Sequence, residues 1–485
     1  PRKDVIVPPD PEYMGCFGVG LLAYTKLTNK NDLQLTNFDI DKIVNTEILK
    51  VRNFTCKACD NYCTIDVLQV NDSKYSFGGR CNKFANIRKS KIAANTSSKD
   101  QETSNKSLNF IDRRNDLMFK ECAAPQFTED FMNSSPIEVA IPKCFSVYTL
   151  WPLYSWFFHK LGVKVTLSQE ISEQGISQTE SEYCFPAEIA HGAVYNSWFQ
   201  GETRPDFIFL PHFRDLESYE KDAPANFCPI TQSLPYYIKK AFNKIPEDKI
   251  LSPIVSLIDG TKNIEQEFIN VGKKLNISKE ISLKAFRFAL EKQKEYFQKS
   301  KELGLEAIKA ARSADRPAIA IMGRPYNALT SDANMQIPHK FFGQGHIVIP
   351  FDILPFENEE IYPNMYWYYG QQNIKSAELL KKEDNIFLTY ITNFSCAPDS
   401  FMLHYLRWIM GEKPFLVLEL DSHSADAGID TRIEAFLDII EGSQQENTSC
   451  VKKRFHNNLE LINNGPADFY IKDLKNNEKI EIHNN

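Results

Sequence analysis

The chain has 485 residues, of which 42% are hydrophobic and 25% charged, as is typical of a globular protein with a sizeable core. It carries 56 basic and 63 acidic side chains, a net charge of −7 with no basic cluster, which argues against a nucleic-acid partner. Its longest apolar runs, such as residues 386–390, are too short to cross a bilayer, so no membrane partner is expected.

The number and placement of the cysteines indicate the cellular compartment and the kind of site they form. There are eleven cysteines, an odd number, and no apolar signal segment follows Pro1. Without a secretory signal, clustered cysteines favour metal ligands over disulfides. The sequence therefore predicts a reducing, cytoplasmic compartment.

Residues 50–88 form a cysteine-rich segment that contains Cys56, Cys59, Cys63 and Cys81. Such spacing is typical of a metal site, and four thiolates suit structural zinc or a four-iron cluster. Residues 64–70 alternate like a strand, and residues 75–81 resemble its hairpin partner. We predict a small ribbon pinned by a metal, with chance clustering of cysteines as the alternative.

Residues 89–134 are predicted to be a linker, because residues 89–107 are rich in Lys, Ser, Asn and Thr and lack an apolar period. The next region, residues 135–260, alternates short apolar strands with helices and is the predicted first lobe. Its strands are expected at 137–141, 163–167 and 207–210. Short apolar strands between helices indicate a parallel sheet.

Residues 261–316 are predicted to be a helical connection. Its long helix begins after the N-cap Ser278 and ends near Arg312. The spacing of apolar residues predicts a buried stripe on this helix, formed by Leu283, Phe286, Leu290, Phe297, Leu305 and Ile308.

Residues 317–445 repeat the pattern as a second lobe, and residues 446–485 are a C-terminal tail. Strands are expected at 318–322, 346–350, 386–391 and 415–420, and the last helix near Thr431. The predicted fold class is α/β, with two doubly wound flavodoxin/Rossmann-like lobes, a helical connection and the small metal ribbon. A cleft between the lobes is the expected site, because ligands bind at the carboxyl ends of such strands.

Three separated cysteines are candidate ligands of an iron–sulfur cluster. Cys184, Cys228 and Cys396 each have a proline within the next two residues, which suits the first turn of a helix. A helix N-terminus stabilises a thiolate and the sulfides of a cluster. Three such thiolates would hold three irons of a cubane. The alternative is that each is a buried free cysteine.

Arg324 is the other candidate for the site. It follows the strand at 318–322 within Gly323-Arg324-Pro325-Tyr326, where an arginine would hold a phosphate or a carboxylate. The alternative is a turn with a solvated arginine.

Four segments of the second lobe carry a family resemblance, which extends over about residues 5–445. They are Gly323-Arg324-Pro325-Tyr326-Asn327, Tyr362-Pro363-Asn364, Cys396-Ala397-Pro398-Asp399-Ser400-Phe401 and Ala425-Asp426-Ala427-Gly428-Ile429-Asp430-Thr431-Arg432. They resemble the large CoA-substrate-specific enzyme activases, relatives of the 2-hydroxyacyl-CoA dehydratase system that contain a domain of unknown function, DUF2229. Residues 1–30 resemble the tail of a sugar-kinase/Hsp70/actin-type ATPase domain, so this chain is not expected to hydrolyse ATP unaided.

The resemblance implies an iron–sulfur protein of anaerobic metabolism. An upstream ATPase domain would drive an electron from reduced ferredoxin or flavodoxin to a very low potential. Cys184, Cys228 and Cys396 fall where the family has its cysteine motifs, so the resemblance assigns them a 4Fe-4S or double-cubane cluster. Zinc or a second 4Fe-4S cluster would occupy the Cys56 group.

Three functions remain open from the sequence. The first is a redox or dehydratase-type enzyme component that passes the electron to an acyl-CoA-like substrate, with a homodimer as the expected assembly. The second is a non-enzymatic electron relay or a metal-stabilised scaffold that serves a separate dehydratase. The third is a zinc-stabilised binding module with apolar buried cysteines.

Overall fold

The computed structural model describes residues 18–20, 48–55, 64–70, 73–77, 108–128, 136–181, 183–201, 204–219, 223–258, 260–360, 362, 364–421, 424, 426–448, 459–463, 469–473 and 478–481. The chain divides into two compact units. The first comprises Pro1–Gly79 with Phe84–Ile87, and the second comprises Arg80–Lys83 with Arg88–Asn485.

The first unit contains an antiparallel sheet of three strands, β1 (Ile48–Thr55), β2 (Thr64–Val70) and β3 (Ser73–Phe77). Val70 pairs with Ser73, so only two residues separate the ends of β2 and β3, and the predicted hairpin is confirmed. The sequence did not predict β1. Cys56, Cys59, Cys63 and Cys81 lie outside the described residues, and the metal ribbon stays a prediction.

Residues 108–128 of the second unit form a short, partly buried helical segment where the sequence predicted a linker. Helix α1 (Phe110–Asp116) continues into a π-helical turn, Leu117–Glu121. Asn109 caps α1 by accepting the backbone N–H groups of Ile111 and Asp112. For residues 108–128 the predicted linker is therefore wrong. The segment is too short for a helical period to stand out, but Phe110, Ile111 and Arg114 are buried.

The first lobe is built on a parallel four-stranded sheet with the order β5-β4-β6-β8. A second, two-stranded parallel pairing, β7 with β9, lies just beyond β6 and β8 along the chain. The strands are β4 (Glu138–Ile141), β5 (Lys164–Leu167), β6 (Phe207–Phe209), β7 (His212–Phe213), β8 (Ile250–Leu251) and β9 (Ile254–Val255). The helices are α2 (Val147–Lys160), α3 (Glu173–Ile176), α4 (Phe185–Phe199), α5 (Pro229–Gln232) and α6 (Leu234–Ala241), with a 3₁₀ turn at Glu247–Lys249.

Two helices connect the lobes, α7 (Thr261–Lys274) and the 34-residue α8 (Lys279–Arg312). Ser278 caps α8 as predicted, since its hydroxyl accepts the N–H of Ile281. The predicted apolar stripe is wrong at Phe297 and Leu305, which are 37% and 59% exposed. The buried face consists mostly of small residues, which bring the helix close to its neighbours: a Cβ at Gly304 would lie 1.7 Å from the carbonyl oxygen of Ile353.

The second lobe repeats the topology, with a parallel sheet in the order β11-β10-β12-β13. Every residue of β10 and β12 is buried, as expected of a parallel sheet covered on both faces. The strands are β10 (Ala318–Gly323), β11 (Val348–Pro350), β12 (Ile386–Asn393) and β13 (Phe415–Leu420). The helices are α9 (Pro325–Ala328), α10 (Ile337–Gly343), α11 (Tyr368–Lys381), α12 (Ala397–Met410) and α13 (Asp426–Thr448), with a 3₁₀ turn at Phe351–Ile353.

A second antiparallel sheet of three strands follows with β14 (Leu459–Asn463), β15 (Phe469–Asp473) and β16 (Glu478–Glu481), in a region predicted only as a tail. The predicted α/β class with parallel sheets is confirmed. Among the described residues, none of the helices combines the length and the apolar character needed to cross a membrane.

The two lobes meet through a kink in α2. Pro152 lacks an N–H and Leu150 is non-helical, so the carbonyls of Tyr148 and Thr149 lose their helical partners. Arg114 donates to the Tyr148 carbonyl at 2.6 Å. Gln293 of α8 replaces the missing helical bond, donating to the Thr149 carbonyl at 2.9 Å and accepting the Leu153 N–H at 3.1 Å.

Arg114 also reaches the second lobe. Its guanidinium, 1% exposed, lies 2.6 Å from the Asp352 carboxylate. Tyr148 of the first lobe bonds to Thr330 of the second at 2.9 Å. These contacts hold the two lobes together. The loops after β10 and β12 of the second lobe then lie next to the residues that begin α5 in the first lobe.

Candidate functional site

The three predicted cluster cysteines occupy the same local position in the fold. Cys184, Cys228 and Cys396 are the N-cap residues of α4, α5 and α12, each with extended backbone and with a proline in the first turn of its helix. The predicted placement of these cysteines at proline-containing helix starts is therefore confirmed. All three side chains are partly buried, neither in the deep core nor fully open to solvent.

The three thiols and Arg324 act on one another electrostatically. Burial raises the pKa of Cys184 to about 11, and the charge of Cys228 adds to the rise while the Arg324 guanidinium opposes it. Burial also raises the pKa of Cys396, with Arg324 opposing and Asp399 and Cys228 contributing. Charge interactions weaken with distance, and Cys228, Arg324 and Asp399 also line one cavity. The fold thus gathers residues that lie up to 212 positions apart, from 184 to 396, into one neighbourhood.

Desolvation outweighs the helix N-terminus at this site. The sequence predicted that helix dipoles would stabilise thiolates, but the net pKa shifts of Cys184 and Cys396 are upward. Both are therefore thiols at neutral pH in the metal-free chain. Metal binding would have to displace their protons, which a bound cation does readily.

The sulfur of Cys228 has hydrogen-bond partners in the first turn of α5. The backbone N–H of Thr231 lies 3.5 Å from its Sγ, and the Thr231 hydroxyl lies 3.1 Å away. Thr231 also lies 3.4 Å, oxygen to oxygen, from the hydroxyl of Tyr326 in the second lobe. These contacts hold the sulfur of Cys228 towards the junction of the lobes.

Arg324 is the N-cap residue of α9 at the carboxyl end of β10, and it is only 5% exposed. The alternative of a solvated arginine is therefore wrong. Its Nε donates to the Asp399 carboxylate at 3.0 Å, and its Nη2 donates to the Asn393 side-chain oxygen at 2.6 Å. Burial works against its charge, but Asp399, Cys396 and Cys184 together hold the pKa of Arg324 well above its usual value.

Asp399 anchors this network from the first turn of α12. Its carboxylate accepts hydrogen bonds from the Tyr390 hydroxyl at 3.1 Å and the Thr392 hydroxyl at 2.6 Å, in addition to Arg324. Tyr390 and Thr392 belong to β12 and are buried. These donors compensate the carboxylate for its lost hydration, and the carboxylate in turn keeps Arg324 in one orientation.

A cavity opens beside these groups at the junction of the lobes. Its volume is about 20 Å³, which is enough for a water molecule but not for an organic ligand. The first lobe contributes Asn226, Phe227 and Cys228, and the second contributes Arg324, Tyr326, Trp367, Tyr369, Gly370, Asn373, Tyr390, Pro398, Asp399 and Met402. The wall is mostly aromatic and apolar and contains the buried ion pair of Arg324 with Asp399.

The loop before Cys228 forms two backbone hydrogen bonds with the second lobe. The N–H of Asn226 donates to the Tyr366 carbonyl at 2.8 Å, and the Tyr368 N–H donates to the Asn226 carbonyl at 2.9 Å. This two-bond ladder pins one wall of the cavity to the other.

Three thiols with a buried cation beside them have the chemistry of ligands for a thiolate-bound cluster, in which each thiolate binds a different iron. Among the described residues, no group of three His, Cys, Asp or Glu side chains is placed to hold a metal ion. The Cys56 group lies outside the described residues and is not part of this comparison.

The hydroxyl of Tyr237 is buried and has no hydrogen-bond partner among the described residues. Leaving such a group unpaired costs about 1–3 kcal/mol. Burial, with smaller contributions from the charges of Cys144, Cys184 and Cys228, raises the pKa of Tyr237 well above its usual value.

Sequence reasoning missed several residues of the site. Asp399 and Asn393 were overlooked as partners of Arg324, although Asp399 stands in the quoted Cys396 motif. Cys144, just beyond β4, is 5% exposed, and burial raises its pKa to about 12. Tyr237 lies in an unremarkable helix. Of these, only Asp399 had a signal, because an acid three residues after an N-cap is a common feature of helix starts.

Residues 138–354 match the model of a family described as the CoA enzyme activase uncharacterised domain, DUF2229. The match confirms the resemblance identified in the sequence, and it covers Cys184, Cys228 and Arg324 but ends before Cys396. No curated protein matches the chain.

Solved structures offer only distant similarity. A metal-free mutant of a periplasmic metal-binding protein from Candidatus Liberibacter asiaticus is 13% identical, with 63% of this chain and 99% of that chain covered and a TM-score of 0.19. The C-terminal domain of glucosamine-fructose-6-phosphate aminotransferase from Francisella tularensis is 11% identical, with 71% and 98% covered and a TM-score of 0.18. Glucosamine-6-phosphate deaminase from Thermotoga maritima is 12% identical, with 71% and 94% covered and a TM-score of 0.17.

Proposed function

Because residues 138–354 belong to the CoA enzyme activase uncharacterised domain family, we propose that the chain is an iron–sulfur protein of an acyl-CoA activase or dehydratase system. In this proposal Cys184, Cys228 and Cys396 hold a 4Fe-4S or double-cubane cluster at the junction of the two lobes. The observation that carries it is the common setting of the three cysteines, each an N-cap residue beside the same buried arginine.

The protein groups would perform three tasks. The cysteines would bind the cluster as thiolates, and Arg324 would offset part of their negative charge. Asp399 would hold Arg324 in place, since the guanidinium bonds to it through both Nε and Nη2. The aromatic wall of the cavity would exclude water. When bound, the cluster supplies one-electron chemistry at low potential.

We propose an acyl-CoA-like substrate as the electron acceptor, with reduced ferredoxin or flavodoxin as electron donor and the upstream ATPase domain as partner. The cavity beside Cys228 and Arg324 holds only about 20 Å³, too little for such a substrate, so its size does not distinguish an enzyme from an electron relay.

Iron binding tests the cluster assignment. The chain, with Cys56, Cys59, Cys63 and Cys81 changed to Ser, is reconstituted anaerobically with iron and sulfide, and iron, sulfide and visible absorption are measured. In this background Cys184→Ser, Cys228→Ser and Cys396→Ser are each expected to lose most of the iron. Cys122→Ser, a change at another buried free cysteine, is expected to keep it. Wild-type iron content in all three ligand variants would exclude the assignment.

The same measurement tests the second metal centre. If the Cys56 group binds its own metal, the chain with all cysteines intact carries more metal than the four-serine background, and the element that is lost identifies zinc or iron. Equal metal content in both would exclude the second centre.

Substrate binding separates the enzyme from the relay. Anaerobic protein that has been confirmed to contain its cluster is mixed with a panel of 2-hydroxyacyl-CoA esters, and its paramagnetic resonance spectrum is recorded. A substrate-dependent change in the spectrum supports the enzyme. An unchanged spectrum with every thioester favours the relay.

A further inference from the structure

The hydroxyl of Thr231 connects the Cys228 sulfur of the first lobe to Tyr326 of the second lobe. Thr231 lies in the first turn of α5, three residues after Cys228, and is fully buried. Its Oγ lies 3.1 Å from the Cys228 Sγ, and its backbone N–H donates to the same sulfur over 3.5 Å. The Tyr326 hydroxyl lies 3.4 Å from the Thr231 Oγ. The three side chains thus form a continuous polar path across the junction of the lobes.

The ring of Tyr326 is held in place by both lobes. It is 3% exposed and belongs to α9. Phe145 of the first lobe and Tyr369 of the second pack edge-to-face against it, with ring centroids 5.0 and 5.8 Å away. The guanidinium carbon of Arg324 lies 5.4 Å from its ring centre. Packing therefore sets the position of the Tyr326 hydroxyl, whether or not Thr231 bonds to it.

The state of the Cys228 sulfur determines the direction of these hydrogen bonds. A threonine hydroxyl can donate one hydrogen bond and accept others, and in the cluster-free chain either Cys228 or Thr231 can be the donor of their shared bond. A sulfur that is bound to a metal carries no proton, so Thr231 must then donate to it. The Thr231 oxygen is left as the acceptor for the Tyr326 O–H. This outer contact is long for an O–H···O bond and contributes less than the inner one.

We propose that Thr231 is a positioning residue that donates to the Cys228 sulfur, and that Tyr326 of the second lobe strengthens this bond by donating to Thr231. The inference rests on the proposed function where it concerns a cluster, but the same donors act on a bare thiolate as well. Hydrogen bonds to the sulfurs of a thiolate-bound cluster raise its reduction potential, because they stabilise the more negative, reduced state. Two residues that bind neither iron nor substrate then adjust the potential of the centre.

Thr231→Val removes the hydroxyl but keeps the shape of the side chain and the backbone N–H bond to the sulfur. In cluster-loaded protein with equal iron and sulfide per chain, it is expected to shift the midpoint potential to a more negative value. Thr231→Ser, which keeps the hydroxyl, is expected to retain the wild-type potential. Thr389→Val is the matched control with an unchanged potential, since the Thr389 hydroxyl is also fully buried but has no hydrogen-bond partner among the described residues.

The cluster-free protein gives an independent measurement. Iodoacetamide attacks the thiolate form of a cysteine, and a hydrogen-bond donor stabilises a thiolate more than a thiol. At one mildly alkaline pH, Thr231→Val is expected to slow the alkylation of Cys228 several-fold, as followed by peptide mass spectrometry. Cys184 and Cys396 in the same digest are expected to keep their wild-type rates and serve as internal controls.

Tyr326→Phe tests whether the second lobe acts through Thr231. Alone, it is expected to slow the alkylation of Cys228 less than Thr231→Val does. In the Thr231→Val background it is expected to add nothing, because its hydroxyl acts only through the missing one. A further slowing in that background would overturn the role of Tyr326. Thermal unfolding shows which variants keep the fold, and Tyr326→Phe serves where Thr231→Val does not fold.

The outcomes separate the two proposals. Wild-type protein that takes up no iron overturns the proposed function, and the alkylation rates of Cys228 alone then decide the role of Thr231. Protein that takes up iron but has the same potential in Thr231→Val as in Thr389→Val overturns this inference and leaves the cluster assignment standing. A shift in Thr231→Ser as large as that in Thr231→Val would assign the effect to packing and overturn the inference as well.

Discussion

Arg324 is a buried cation whose position is determined by one buried carboxylate. Its guanidinium and the Asp399 carboxylate are 6% and 3% exposed, and their closest N–O distance is 2.8 Å. In such a pair each charge offsets much of the desolvation cost of the other. The residual positive field reaches Cys184 and Cys396, where it favours the thiolate. Arg324 therefore links the stability of the second lobe to the chemistry of the cysteines.

Removing Arg324 should leave Asp399 buried and unpaired. We expect Arg324→Met to lower the free energy of unfolding of the cluster-free chain by about 3–5 kcal/mol, as measured by urea denaturation. Adding Asp399→Asn should restore part of the loss. Arg113→Met is the control, because its pair with Glu306 is largely exposed and is worth about 1 kcal/mol or less. Similar losses in Arg324→Met and the control would contradict the argument.

The cysteines differ in burial, and their reactivity should follow. Cys144 is 5% exposed and its pKa is raised by burial to about 12. At one alkaline pH, we expect Cys144 in the folded, cluster-free chain to react with thiol reagents more slowly than the partly exposed Cys184, Cys228 and Cys396, because a reagent reaches a buried sulfur only after local opening. Reconstitution with iron and sulfide should then protect those three. Peptide mass spectrometry after alkylation measures this, and rapid labelling of Cys144 in folded protein would contradict it.

At the scale of elements, α2 depends on a side chain from α8. Pro152 breaks the helical ladder, and Gln293 supplies both a donor and an acceptor in its place. Gln293 is 2% exposed, so water cannot take over these bonds. Because α2 follows the carboxyl end of β4, the hydrogen bonds of Gln293 also hold the part of the first lobe that faces the site.

Gln293→Leu keeps the size of the side chain but loses both hydrogen bonds. We expect a loss in unfolding free energy on the order of 1–3 kcal/mol for each backbone group left unpaired, the Thr149 carbonyl and the Leu153 N–H. Gln298→Leu is the matched control, since Gln298 is exposed on the same helix and should change stability by no more than about 0.5 kcal/mol. Urea denaturation measures both, and equal stability of the two variants would exclude the bridging role.

At the scale of the whole molecule, the two lobes share one strand order and present the same edge to the site. In each sheet the first strand in the chain lies between the second and the third. The second strand therefore adds to one side of the first strand, and the third strand adds to its other side. Such a switch point leaves a crevice at the carboxyl ends of the strands. Arg324 stands at this point in the second lobe, and Cys144 follows the equivalent strand in the first.

The stability of the molecule should fall in mild acid. Burial lowers the pKa of His191 and of His346, so both are neutral in the folded state. The unfolded chain takes up protons at these positions as the pH falls below about 6.5. Acidification then favours the unfolded state, and the stability present above that pH is lost as the pH falls through the folded values.

We expect the urea midpoint to decrease between about pH 7 and pH 5. His346→Gln should reduce the slope, because Gln keeps a donor for the Pro317 carbonyl, which His346 meets at 2.8 Å, but does not titrate. An unchanged slope in the variant would assign the pH dependence to other groups.

The sequence by itself determined the local structure of this protein. Apolar runs identified β4, β5 and β6 of the first lobe's sheet, but not the two-residue β8, and all four strands of the second lobe's sheet. The proline after each of Cys184, Cys228 and Cys396 identified three helix starts, because these signals act over a few neighbouring residues. Ser278 as the cap of α8 and the hairpin of β2 and β3 were predicted for the same reason.

Only the tertiary structure decided what these elements do together. The burial of Arg324 depends on its ion pair with Asp399, which lies 75 residues away in the sequence. The kink of α2 is stable because Gln293, 140 residues from Leu153 in the sequence, accepts the Leu153 N–H. The same holds for the stripe of α8, where small residues face the core because the helix packs closely against the Ile353 carbonyl. Partners so distant in the chain leave no local pattern, since their meeting follows from the packing of the lobes and not from any short-range preference.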